Sequence, residues 1–155
     1  LQRDFYAVTR EWPYKNVRPR IIAEKLLESS VDKGLADYKV HNFNGTPQII
    51  LVCRDRFEST GLTEDFYDTE WKRLDIHRPL HPNSKQINIK PAELDKILEL
   101  SGRLAKNCPF MRTDFYIIDS KVYFGEITLY PASASVPFIP ESADLELGKL
   151  LKLPE

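Results

Sequence analysis

Two carboxylates, a guanidinium and a hydroxyl fall within one short stretch, residues 111–131, MRTDFYIIDSKVYFGEITLYP. Arg112 and Asp114 interrupt the start of one apolar run, and Glu126 and Thr128 interrupt the end of the next. Two runs rich in β-branched and aromatic residues around a short polar turn read as a β-hairpin. Its folding would gather all four groups at the end far from the turn. A carboxylate pair in such a place suits Mg²⁺, a hard ion that takes oxygen ligands and keeps several positions for phosphate and water. The same residues also read as a structural Arg112–Asp114 ion pair at a sheet edge beside a solvated Glu126. The residues alone leave both readings open.

Register decides whether the acids can meet, because a slip of one residue sends a side chain to the opposite face. A two-residue turn at Asp119-Ser120 would place Asp114 opposite Gly125 and turn Glu126 away. A three-residue loop, Asp119 to Lys121, sets Asp114 opposite Glu126 and Arg112 opposite Thr128. The expectation is the three-residue loop, or an equivalent bulge.

Other segments must carry this hairpin. Residues 1–20 read as a loop or short helical turn, and Ile21 to Leu27 as a buried strand or the start of a helix. Asp37 to Phe43 alternates Asp37, Lys39, His41 and Phe43 against Tyr38, Val40 and Asn42. Asn44-Gly45 follows, then an apolar strand from Gln48 to Cys53, and Asn-Gly between two such runs is a strong hairpin signal. Phe66 to Leu74 reads as a further strand and residues 77–90 as loop. Pro91 to Asn107 predicts a helix, with Leu94, Ile97, Leu98, Ser101, Leu104 and Ala105 at helical spacing and Pro91 at the first position. A short helix is expected around Leu145 to Leu151. Two hairpins with a helix before the second make an α+β chain with a mainly antiparallel sheet and packing helices.

Bulk properties narrow the function classes. The chain has 155 residues, the length of one domain with a real core. With 42% hydrophobic and 29% charged residues it is globular rather than disordered. A formal net charge of -1 supplies no field for nucleic acid or anionic membrane, so partners must be recognised locally. No apolar run approaches the roughly 20 residues that span a bilayer, and no secretion signal is visible. Cys53 and Cys108, in apolar settings outside any CxxC pair, suit reduced thiols in a cytoplasmic protein.

Other chemistry finds no framework. His77 and His81 have metal-like spacing, but Pro79 between them forbids a regular helix. Ser133 and Ser135 lack a GxSxG context, Cys53 has no positioned histidine, and neither a GxGxxG nor a P-loop is present.

RTDFY followed by FGEITLYP resembles the metal-binding end of the ATP-grasp fold. With EWPYKNVRPRIIAEKLL, LADYKVHNFNGTPQIILV and the closing LGKLLKLP, the chain is more specifically similar to the TupA-like ATP-grasp family, in order along nearly its whole length. That family is linked to teichuronopeptide, capsule and other surface-polysaccharide biosynthesis. The resemblance implies ATP and Mg²⁺ as cofactors, with Asp114 and Glu126 binding the metal. Thr128 stands where most ATP-grasp enzymes carry Asn, so it joins the metal set as a hydroxyl. Arg112 would stabilise the phosphoryl group or the acyl species, Glu24 would lie at the hinge beside adenine, and Asp37 would accept from ribose hydroxyls. Lys39, on the strand face of Asp37, would reach phosphate or a substrate carboxylate.

ATP-grasp enzymes clamp nucleotide between two lobes, and nothing before Glu24 resembles the lysine and glycine-rich loop of the first. The chain therefore reads as the half from the hinge to the C-terminus: a fragment, a truncated product, or one part of a two-chain site with a separate N-terminal lobe. The implied activity is a carboxylate–amine ligase working through an acyl phosphate, its substrates small molecules or glycans. The alternatives are an ATP-grasp-type kinase, a glycosyltransferase-associated protein and a non-catalytic half-grasp binding module.

Overall fold

The Asn44-Gly45 turn closes the hairpin at the centre of the fold. In the computed structural model, which describes residues 5–28, 35–56, 59 and 61–153, it joins β1 (Asp37–Phe43) to β2 (Thr46–Arg54). Both turn residues adopt positive φ, 52° and 79°, as the tight hairpin turn requires. The turn also anchors the end of the described chain, since Asn44 Nδ2 donates to the Leu150 carbonyl at 2.8 Å.

Three further strands complete one antiparallel sheet in the order β3-β2-β1-β4-β5, with β3 at Thr63–Asp68, β4 at Phe110–Ile118 and β5 at Lys121–Thr128. The helices are α1 (Phe5–Thr9), α2 (Leu94–Leu104) and α3 (Ser142–Gly148). The α+β expectation holds, and the strand read over Phe66 to Leu74 lies instead at Thr63–Asp68.

One sheet face buries Tyr38, Val40, Ile50, Val52, Tyr67 and Phe115 against Leu94 and Ile97 of α2. Inside this apolar layer Asn42, Ser101 and Thr113 are fully buried. Asn42 Nδ2 donates to the Met111 carbonyl at 2.9 Å, its Oδ1 accepts from Ser101 Oγ at 2.9 Å, and Ser101 shares a 2.7 Å bond with Thr113. Each polar atom so satisfied pins α2 to β1 and β4 in one register. The opposite face is covered toward β2 and β3, where Ile49, Leu51, Cys53 and Phe66 pack under Phe138 and Leu147.

Several boundaries differ from the sequence reading. Ile21 to Leu27 is neither strand nor helix, and Ile21, Ile22 and Leu26 are exposed, at 79%, 78% and 75%. An apolar run alone does not become core unless a neighbouring face receives it. The helix expected from Pro91 to Asn107 is regular only over Leu94–Leu104, because Pro91 serves as a turn acceptor for the Leu94 amide at 3.2 Å. Leu104, placed on the apolar stripe, is 42% exposed. The last helix begins at Ser142 and ends at Gly148, earlier than Leu145 to Leu151. Residues 1–4 of the N-terminal reading and Pro154 of the closing segment lie outside the described residues.

The site hairpin corrects the expected loop. Asp119 and Ser120 form a two-residue turn with φ of 49° and 59°, pairing Ile118 with Lys121. Two consecutive positive φ values match the twist of the flanking strands, so the shorter turn prevails despite the absence of glycine. A bulge then shifts the register between Thr113 and Phe115, and Arg112 still faces Thr128. Gly125 and Glu126 together stand against Asp114, the equivalent-bulge form of the expected pairing.

Candidate functional site

Strand alternation and the β1–β4 register assemble the site. Lys39 pairs with Asp114, His41 with Arg112 and Asp37 with Tyr116, so these side chains share the face not occupied by α2. The sequence separates Lys39 from Asp114 by 75 positions, and the sheet makes them neighbours.

The result is a chain of alternating charge. Asp37 Oδ2 takes an ion pair from Lys39 Nζ at 2.6 Å, and the same ammonium is paired with Asp114 Oδ2. Arg112 Nε donates to Asp114 Oδ1 at 2.7 Å and Nη2 to Oδ2 at 2.8 Å, a bidentate grip. That Nη2 also donates to Glu126 Oε1 at 2.7 Å, where Thr128 Oγ1 donates at 3.2 Å. Asp114 is 1% exposed, whereas the Glu126 side chain is 61% exposed. One acid is locked in protein and the other opens to solvent.

Burial and charge compete at the inner end. Burial pushes the Asp37 carboxyl above its ordinary value, and Lys39 only partly offsets this. Burial pulls the Lys39 ammonium down, but the Asp114 and Asp37 carboxylates outweigh it and leave its pKa raised. Asp37 Oδ1 and His41 Nδ1 are buried without a hydrogen-bond partner among the described residues. Arg56 lies 3.8 Å from Asp37 at the surface.

This geometry is the polar end expected of the hairpin. The family model for TupA-like ATPgrasp matches residues 1–152. The chain belongs to the TupA-like ATPgrasp family. Neither the curated proteins nor the solved structures provide a match.

In this ATPgrasp chain, Asp37, Lys39, Arg112, Asp114, Glu126 and Thr128 come together. Glu24 does not join them: it lies in an exposed stretch without regular structure. Among the described residues no three or more His, Cys, Asp or Glu side chains converge as a metal cage. The donor set nevertheless fits Mg²⁺, which binds through one or two carboxylates and completes its shell with phosphate and water. Asp114 and Glu126 already turn oxygens toward one cationic nitrogen, each within 2.8 Å of Arg112 Nη2. Thr128, whose hydroxyl is given to Glu126, orients that acid.

His41 and Arg56 escaped the sequence reading of the site. His41 shares the two-residue period of Asp37 and Lys39, a signal that was legible, and burial followed by Arg112 drives its pKa down to about 4. Arg56 carries no such signal. Cys53 is core, its thiol pushed up to about 12 by burial and then by Glu64. His77 and His81 sit in bridge-forming loops, and Ser133 donates to Glu11 at 2.8 Å. Among the described residues no helix is long and apolar enough to cross a membrane.

Proposed function

We propose that this ATPgrasp family member is an ATP- and Mg²⁺-dependent carboxylate–amine ligase of surface-polysaccharide biosynthesis. The observation that carries the reading is Arg112 held between a buried acid and an exposed one, Asp114 and Glu126, on the face that also presents Lys39. A carboxylate is a poor electrophile. Transfer of the γ-phosphoryl group from ATP to a carboxylate oxygen gives an acyl phosphate and ADP. An amine then attacks the carbonyl carbon, phosphate leaves, and the nitrogen sheds a proton.

Mg²⁺ on Asp114 and Glu126 would screen the charge of the nucleotide phosphates. Arg112 supplies a planar, permanently charged fork for the oxyanion that develops during transfer. Lys39, fixed between Asp37 and Asp114, is a compact cation for phosphate or for the incoming carboxylate. Asp37, whose Oδ1 is buried without a hydrogen-bond partner among the described residues, is assigned to the ribose hydroxyls. Glu24 is assigned to the adenine hinge, and a first lobe or partner chain would supply the other side of the clamp.

The test is calorimetric binding of Mg-ATP to the chain, to Glu126→Gln and to Asp114→Asn, followed by ADP release with carboxylates and amines together. Binding lost in both variants, with ADP release that needs an amine, supports the ligase. Phosphate recovered on an alcohol would instead make the site a kinase, and binding unchanged by either substitution would remove the acids from the nucleotide site.

A further inference from the structure

Beyond Arg112 on the same sheet face lies a cavity of about 740 Å³, within the range of small-molecule sites. Ile49, Leu51, Phe66 and Phe110 of the sheet form one wall, and Phe138 and Leu147 close over it. The acidic, basic and histidine side chains in its lining are His41, Arg78, Arg112 and Asp144. Asp144 is committed, its Oδ2 accepting the Phe138 amide at 3.1 Å. Arg78 holds the buried Glu64 through Nε and Nη2, and Arg112 holds Asp114 and Glu126 through Nε and Nη2. Each guanidinium thus keeps its Nη1 edge without a hydrogen bond among the described residues. Between them His41 is 8% exposed, with Nδ1 unpartnered.

We infer that this cavity takes the apolar body of an amphipathic carboxylate, whose head group meets Arg112 beside the Asp114–Glu126 pair. The walls decide the body. A sugar ring placed among Leu51, Phe66 and Phe138 would leave hydroxyls unpaired in an apolar setting, at a cost for each. A glycan therefore stays outside this cavity, and what enters it is hydrocarbon or aromatic. The guanidinium edges decide the head. Both forks are already spent on Glu64, Asp114 and Glu126, and what is left on each guanidinium is Nη1, whose N–H groups donate to a carboxylate and find no acceptor on an ammonium group. Calling this ligand the substrate that becomes phosphorylated rests on the ligase reading; its binding does not.

Octanoate is the probe, titrated calorimetrically into the full chain beside octylammonium and acetate, with Mg-ATP titrated separately. Gly148 lines the cavity, and a Cβ there would meet nothing within 4 Å, so Gly148→Trp fills the space from its edge without a backbone clash. Octanoate should bind while octylammonium and acetate do not. Gly148→Trp should bind octanoate about tenfold more weakly, the effect of losing burial for roughly two methylene groups, with Mg-ATP affinity unchanged. Nuclear Overhauser contacts from octanoate methylenes to the Phe66 and Phe138 rings locate the ligand in the unsubstituted chain, independently of any variant. No octanoate binding, equal binding of octylammonium, or absence of those ring contacts would overturn the inference. Octanoate binding alongside Mg-ATP binding that Asp114→Asn and Glu126→Gln leave unchanged would keep the cavity assignment and remove the ligase reading, and no octanoate binding alongside Mg-ATP binding lost in both variants would do the reverse.

Discussion

Arg112 and Asp114, two residues apart on β4, form a bidentate ion pair in which Nε reaches Oδ1 at 2.7 Å and Nη2 reaches Oδ2 at 2.8 Å. Residues at this spacing share a strand face, so the pair needs no contribution from another segment. What another segment adds is Lys39, which gives Asp114 a second cation and links it to Asp37.

Arg112→Lys keeps the charge and loses the fork. A single ammonium cannot hold both oxygens of Asp114 while reaching Glu126. The expected result is a fall in kcat of about a hundredfold or more, with Mg-ATP affinity changed far less. Single-turnover ADP release beside equilibrium nucleotide binding separates the two.

Lys39→Met leaves Asp37 and Asp114 on one face without the cation between them. Breaking a buried pair in this way costs roughly 3–5 kcal/mol, read from urea unfolding at neutral pH. The loss should shrink in acid, because protonation neutralises the stranded carboxylates. A companion Asp37→Asn should restore part of the stability at neutral pH.

Gly125→Val tests the bulge. A Cβ at Gly125 would sit 3.1 Å from Tyr116 Cε2 and 3.2 Å from the Asp114 carbonyl oxygen. The backbone oxygen cannot swing aside, so β5 must move and the variant loses about 1–3 kcal/mol. Glu126 is the adjoining residue, and Mg-ATP binding should weaken as well. A variant with parental stability and affinity would show that the bulge is not needed.

His41 makes stability depend on acid. Its folded pKa lies near 4, below the ordinary value of 6.5, mainly through burial and then through Arg112. The contribution is complete above 6.5, and it is lost as pH falls through 4, because the unfolded chain takes up the proton first. Over that window the loss is roughly 3 kcal/mol. Asp37, raised by burial, acts in the opposite direction: it weakens the fold as pH rises above the ordinary carboxylate range. His41→Phe should therefore flatten the pH dependence only by the histidine's share. Denaturation midpoints of both proteins between pH 4 and 7 measure the difference.

The sequence by itself determined the local pieces. Asp37–Phe43 alternates and is β1, Asn44-Gly45 is the turn, Leu94, Ile97 and Ser101 line the buried face of α2, and Arg112 faces Thr128. These follow from pleat, helical period and turn chemistry, all set within a few residues. The family likeness was legible in the same motifs. Only the tertiary structure decided that Lys39 lies between Asp37 and Asp114, because strand order is a matter of which faces pack. It also replaced the three-residue loop by a tight turn and a bulge at Gly125, where the strands approach too closely for a side chain. Ile21, Ile22 and Leu26 are apolar yet exposed for the converse reason: hydrophobic residues become core only where another surface is shaped to receive them.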